Sequence, residues 1–254
     1  MSNKLKTAFW FIKNPRYFSQ IFQVLKRKKN AQLENTLEEA TLWCAENSVS
    51  VQVALQKLTA LNDAQEFKTL YPEYVEHAIR RAKEAPVQMG GEGAVSFIYH
   101  LIKQSDATHI LETGVAYGWS SLAILAAIKS RGGAKLISND MPYINMGNDD
   151  YVGCVVPDEL KDKWELQRYP DVKGIPLALN KFQGTIDICH YDSDKSYTGR
   201  MWASPLIWKA LKEGGLFISD DINDNIAFKE FCEKVKRVPV IIEHHGKYVG
   251  VIIK

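Results

Sequence analysis

Two textures divide the chain. From Phe9 to about Lys83 apolar residues recur at helical spacing in several short runs, with no strand-like alternation and only two prolines, Pro15 and Pro72. That pattern predicts helices. After Gly90-Gly91-Glu92-Gly93 short apolar runs alternate with helical patterns, as strand-helix units of a parallel sheet do. Strands are expected near Ile110–Glu112, Lys135–Ser138, Glu165–Tyr169, Ile186–Tyr191 and Leu216–Ser219. Helices are expected at about Trp119–Lys129, Val172–Asn180, Ser196–Leu211 with a break at Pro205, and Ala227–Lys236. Pro239–Glu243 and Tyr248–Ile253 flank the turn His244-His245-Gly246-Lys247 and read as an antiparallel hairpin. The expected architecture is α/β: a doubly wound, mostly parallel sheet over residues 91–254, closed by that hairpin, behind a helical N-terminal extension over residues 1–90.

Composition narrows this picture. At 46% apolar and 24% charged the 254 residues are those of a soluble globular protein, not of a collagen, a disulfide scaffold or a disordered chain. The longest apolar runs, Ala8–Ile12 and Leu122–Ile128, fall far short of the roughly 20 residues that span a bilayer. No secretory signal is read near Met1, so a cytoplasmic location is expected. The cysteines Cys44, Cys154, Cys189 and Cys232 have neither zinc nor disulfide spacing and are expected to be reduced.

Charge is uneven. Residues 1–30 carry eight Lys or Arg and no acid, leaving 24 basic against 30 acidic residues in the other 224. Tyr17, Phe18, Ile21, Phe22 and Leu25 are expected on one face of a first helix that follows Asn14-Pro15 and ends in Lys26-Arg27-Lys28-Lys29. Such a face packs on the body or on a second copy, giving a homodimer. It also suits peripheral contact with an anionic membrane through residues 9–29. Polyanion binding by the basic run is a third reading, and no nucleic acid partner is expected.

Candidate chemistry begins at Thr108-His109-Ile110-Leu111-Glu112-Thr113-Gly114-Val115-Ala116-Tyr117-Gly118-Trp119-Ser120-Ser121, a strand that enters a glycine turn and leaves as a helix. The turn lets backbone approach a ligand, and free N–H groups at the helix start favour an anionic group. Glycines only at 114 and 118 depart from the dinucleotide fingerprint. The next strand stops at Asn139-Asp140, where an acid would accept both hydroxyls of a ribose. Adenosine plus a carboxylate is what S-adenosylmethionine offers.

Downstream, Ile186–Tyr191 runs into Asp192-Ser193-Asp194-Lys195-Ser196-Tyr197, and Leu216–Ser219 runs into Asp220-Asp221. In a parallel sheet both clusters fall outside the carboxyl ends of strands and face one another. Like charges ~4 Å apart repel by about 4 kcal/mol at an effective dielectric of 20. Protons or a bound cation must offset that, and an oxygen-only donor set selects magnesium, manganese or calcium.

These segments resemble the class I S-adenosylmethionine-dependent methyltransferases, a Rossmann-like fold, over about Thr108 to Ile222. The closest likeness is to the metal-dependent O-methyltransferases of the catechol, caffeoyl-CoA and sugar types. The resemblance implies that Glu112, Gly114 and Ser120 line the methionine half of the cofactor, with Gly118 in the same turn and Asp192 beside it. It puts Asp140 on the ribose, and Asp192, Asp220 and Asp221 on a divalent ion, Mg2+ by expectation. Ser193 and Lys195 depart from the glycine and histidine of the bacterial motif. The general base therefore stays open between Lys195, as in the catechol pattern, and Asp194, as in the sugar pattern.

The implied activity is methyl transfer to a hydroxyl of a small-molecule or glycan acceptor, a sugar diol or catechol suiting chelation. A nicotinamide-dependent oxidoreductase and a non-catalytic membrane-associated module are the rival readings. Three further expectations complete the site. Met141–Lys163, with Tyr143, Tyr151 and Trp164 in or beside it, is expected as a binding loop. Tyr169 to Val172 is expected near the adenine. His244 and His245 are expected at the rim, and His190 as a satisfied core histidine.

Overall fold

Eight strands form one sheet in the order β1-β7-β8-β6-β5-β2-β3-β4. They are β1 (Ser48–Val49), β2 (His109–Thr113), β3 (Lys135–Asn139), β4 (Trp164–Gln167), β5 (Ile186–Tyr191), β6 (Leu211–Ser219), β7 (Val240–His244) and β8 (Lys247–Ile253). Every adjacent pair is parallel except those of β8, which runs antiparallel between β6 and β7. The computed structural model describes residues 3–18, 20–21, 31–142 and 146–254. Eleven α-helices are described: α1 (Asn3–Lys13), α2 (Ala31–Glu34), α3 (Leu37–Asn47), α4 (Val51–Thr59), α5 (Phe67–Leu70), α6 (Pro72–Lys83), α7 (Val95–Gln104), α8 (Trp119–Ile128), α9 (Asp171–Lys181), α10 (Tyr197–Ala210) and α11 (Ala227–Val235).

Strand alternation sends successive side chains to opposite faces and so builds two cores. Ile110, Ile188, Ile218 and Val251 point to the face covered by α7 and α8. Leu111, Cys189, Tyr191 and Phe217 point to the other, covered by α9, α10 and α11. Helix α8 is apolar almost all round, which is why nine of its ten residues are buried. Each large apolar side chain taken fully out of water in these cores contributes about 1.5–3 kcal/mol. Ala54, Leu55, Phe67 and Ala78, from the N-terminal helices, join the first core.

Three details differ from the sequence pattern. A helix, α1, lies before Asn14-Pro15, and of the helix expected after it the described residues reach only to 21, with residues 20 and 21 helical. A residue preceding proline is pushed out of the helical region, and Asn14 (φ −127°, ψ 64°) ends α1 there. Tyr17 is buried and stacks on Trp10, whereas Phe18 and Ile21 are exposed, so these three do not share a face. Phe22, Leu25, the basic run at 26–29 and Tyr143 lie outside the described residues. Next, the helical head contributes β1, which pairs in parallel with Ile241 and Ile242 of β7 and is too short to show a period in sequence. Lastly, α10 continues through Pro205 because buried Ala203, Ser204 and Ile207 hold the turn against the lost hydrogen bond.

All four cysteines are free, three of them buried. Among the described residues no helix is long and apolar enough to cross a membrane.

Candidate functional site

The strand order reverses at β2, whose neighbours are β3 on one side and β5 on the other. Ligand crevices in open α/β sheets form at such a point, outside the carboxyl ends of the strands. The glycine turn leaves β2 there. Gly114 (φ +78°) needs the left-handed region, and a Cβ on it would run into the main-chain carbonyl of Asp192. Gly118 (φ +95°) caps the start of α8. Asp140 closes the turn from below: its Oδ2 accepts the N–H groups of Val115 (2.7 Å) and Ala116 (3.0 Å), and its Oδ1 pairs with Arg168 (3.0 Å). Burial raises the Asp140 carboxyl above its ordinary pKa against these partners. Its Oδ1 keeps a second lone pair for a hydroxyl donor.

Glu112 is fully buried beneath the turn. It accepts the hydroxyls of Ser120 (2.6 Å), Ser121 (2.5 Å) and Ser138 (2.6 Å), and His190 Nδ1 lies 3.6 Å from its Oε1. Glu112 and Ser120 thus answer each other and fix the start of α8. His190 is buried, with neither ring nitrogen hydrogen-bonded within the described residues. Burial opposes its charge, but Glu112, Asp192 and Asp220 together raise its pKa. It is not the satisfied core histidine its strand position suggests.

Beyond β5 and β6 the structure brings the acidic clusters together. Burial and the charge of Asp220 push the Asp192 carboxyl up to about 6, with Lys195 pulling the other way. The Lys195 ammonium lies 3.0 Å from Asp192 Oδ1 and contacts Asp221 Oδ2. Lys247 reaches the same Asp221 from the hairpin, 2.9 Å from Oδ1. Burial works against ionised Asp221, but the two lysines hold its pKa below the ordinary value. Asp220 Oδ1 accepts the Asp221 N–H (2.8 Å), and Asp221 itself sits at φ +48°, a strained region for a non-glycine residue. Asp194 is turned away, accepting Ser196 N–H (3.1 Å) and Oγ–H (2.7 Å) at the start of α10.

The expected ion cage is therefore corrected in detail. Three carboxylates do gather, but an ammonium stands between Asp192 and Asp221. Among the described residues no three acidic, histidine or cysteine side chains converge on one ion position. Oxygen donors suit Mg2+ chemically, yet as folded they hold lysines, and the set does not fit an ion without displacing them.

Two cavities meet here. One of about 480 Å³ is lined by Gly114, Asp140, Met141, Pro170, Asp171 and Val172. The other, about 650 Å³, is lined by Gly90–Gly93, Ser120, His190, Asp220, His244, His245 and Lys247. Asp192 and Lys195 line both. The segment after Met141 is not an open loop in its described part, because Val155, Val156 and Leu160 are buried.

Sequence reasoning missed four contributors. Buried Arg200 donates to the carbonyl oxygens of Asp220 and Asp221 (2.9 Å each) and to Ser219 Oγ (2.7 Å). Asp171 lies 2.5 Å from Ser193 Oγ, and burial pushes its carboxyl up to about 6. Glu34 accepts the first two N–H groups of α10, from Tyr197 (2.7 Å) and Thr198 (3.2 Å). Only Lys247 carried a signal, as a lysine in a turn expected at the rim.

Residues 111–222 match the family model of a methyltransferase domain. Among solved structures, the O-methyltransferase from Bacillus cereus in complex with SAH is 14% identical, with a TM-score of 0.53 over 83% of this chain and 100% of that one. TomG from Streptomyces achromogenes, an O-methyltransferase involved in tomaymycin synthesis solved with SAM, is 13% identical (TM-score 0.56, 80% of this chain and 96% of that one). CalS11, a TDP-rhamnose 3'-O-methyltransferase of calicheamicin biosynthesis, is 13% identical (TM-score 0.51, 75% and 96%). No curated protein sequence matches. At these identities the structural likeness is one of fold, and the family model and the motifs add the chemistry. Residues 111–222 carry a methyltransferase domain, set in a Rossmann-like fold.

Proposed function

We propose that the protein moves the methyl group of S-adenosylmethionine to a hydroxyl of a small molecule or glycan. The observation that carries this reading is the meeting of the two cavities at Asp192 and Lys195. The smaller cavity takes the cofactor, with Gly114 allowing close approach, Asp140 toward the ribose and Pro170–Val172 toward the adenine. The larger takes the acceptor, between the glycine stretch at 90–93 and the hairpin histidines.

In the reaction a bond forms between the acceptor oxygen and the methyl carbon, the sulfur–carbon bond breaks, and the acceptor proton leaves. Holding the oxygen in line with the sulfonium methyl lowers the barrier by orientation. Asp192, among the described residues the one acidic side chain lining both cavities, is placed to take the proton. Lys195, kept cationic by its two carboxylates, stabilises the developing oxyanion rather than acting as base. Asp194 locks the turn into α10.

The test is cofactor binding followed by turnover. S-adenosylmethionine at 100 times its Kd should stabilise the protein by about 2.7 kcal/mol, with no shift from NAD. Acceptor screening should then yield the demethylated cofactor in step with product. A shift with NAD alone would return the oxidoreductase reading. For the head, exposed Phe9, Ile12, Phe18 and Ile21 in a strongly basic segment support docking to an anionic surface or a second copy. Vesicle flotation and sedimentation separate the two.

A further inference from the structure

The carboxylates of Asp192, Asp220 and Asp221 gather where the resemblance puts a divalent ion, and what fills the space between them belongs to the chain itself. Lys195 Nζ lies 3.0 Å from Asp192 Oδ1 and contacts Asp221 Oδ2. Lys247 Nζ lies 2.9 Å from Asp221 Oδ1 and 3.1 Å from its Oδ2. Both oxygens of Asp221 thereby lie within ion-pair distance of an ammonium group. We propose that this cluster is a lysine-filled cation site, in which Lys195 and Lys247 stand in for the divalent ion and exclude it.

Charge and anchoring both support the assignment. Three carboxylates against two ammonium groups leave the cluster one charge from neutral. A divalent ion added beside the lysines would reverse its sign and sit next to like charge. An ammonium is a compact point charge on a flexible stem, able to occupy a position that an ion would take. The backbone fixes this arrangement. Lys195 O accepts Asn225 Nδ2–H (2.8 Å) and Arg200 Nε–H (3.4 Å), while the Arg200 guanidinium also holds the carbonyls of Asp220 and Asp221. The loop that carries Lys195 and the loop that carries Asp221 are thus fastened through one buried arginine. What the ammonium does for an acceptor oxygen rests on the methyl-transfer reading, but the occupancy of the site does not.

Mn2+ binding to the full chain, followed by electron paramagnetic resonance, tests the proposal. Wild type is expected to leave Mn2+ free up to about 1 mM, the weak end of the range for carboxylate sites. Removing the occupants with Lys195→Met and Lys247→Ala together should open the cage and tighten Mn2+ binding at least tenfold. Adding Asp221→Asn should abolish the gain. Lys247→Ala alone, at a side chain 63% exposed, leaves the core untouched and should give a smaller gain in the same direction. Wild type binding Mn2+ as tightly as the double variant overturns the proposal, as does a double variant that gains nothing. S-adenosylmethionine binding by calorimetry in excess chelator, run in parallel, should be retained by wild type. Its loss there with rescue by Mg2+ would also count against lysine occupancy, whereas failure to bind under any condition would remove the methyl-transfer reading and leave the Mn2+ result intact.

Discussion

The two ends of the central strands treat their acids in opposite ways. At the amino end, Asp187 on β5 accepts N–H groups of Thr108 and His109 (2.8 Å each) and pairs with Lys212 (2.6 Å). Burial works against its charge, but those partners bring its pKa down to about 2. At the carboxyl end of the same sheet, burial pushes Asp171 and Asp192 up to about 6. Asp221 is held in a strained backbone conformation, and His190 keeps both ring nitrogens without hydrogen bonds among the described residues. One end is arranged for stability. The other carries unfavourable local choices that its surroundings must hold in place, which is where sites are found.

Substitutions can break that contrast or sharpen it. The largest effect is expected from Gly114→Ala at the carboxyl end, where positive φ and the collision with Asp192 O act together. Its cost should be about 3 kcal/mol or more, with loss of cofactor binding, read by denaturant unfolding and calorimetry. Asp187→Asn at the amino end should cost about 2 kcal/mol at pH 7. Because its folded pKa of about 2 lies below the ordinary 3.8, that stabilisation is full above about pH 4 and fades as pH falls toward 2. Unfolding curves for wild type and variant should therefore converge in acid.

Asp171→Asn should run the other way. A folded pKa of about 6, above the ordinary 3.8, means that the native state keeps the proton longer, so stability declines as pH rises from about 4 to 6. The neutral amide escapes that loss. A gain on the order of 1 kcal/mol is expected at pH 7.5, vanishing below pH 4, and a loss at pH 7.5 would refute the assigned direction. The smallest effect is expected from Glu34→Ala, about 0.5–1 kcal/mol by removal of a helix cap. Hydrogen exchange should rise first at the Tyr197 and Thr198 amides.

Much of this fold was legible because β2, β3 and β5 are short apolar runs ending in glycine or acid, and those endings also marked the site. The hairpin was legible from Gly246 between two β-rich runs. Strand β1 was not, because two residues carry no period and its pairing is set by β7. The acidic cluster was legible as a cluster but not as an ion-paired one. Which cation meets Asp221 depends on the reach of Lys247 across the hairpin, a distance no local pattern encodes. The role of Arg200 was hidden for the same reason: its partners are carbonyl oxygens, which every residue has.

The cap that Glu34 places on α10 joins residues 163 positions apart. Closing a loop of that length in an unfolded chain costs about 4–5 kcal/mol of entropy, more than one capping contact returns. The contact is therefore expected to form only after the sheet has drawn its two ends together. Helix α10 and the Asp192–Ser196 turn ahead of it should accordingly be among the last parts of the molecule to settle and the first to loosen.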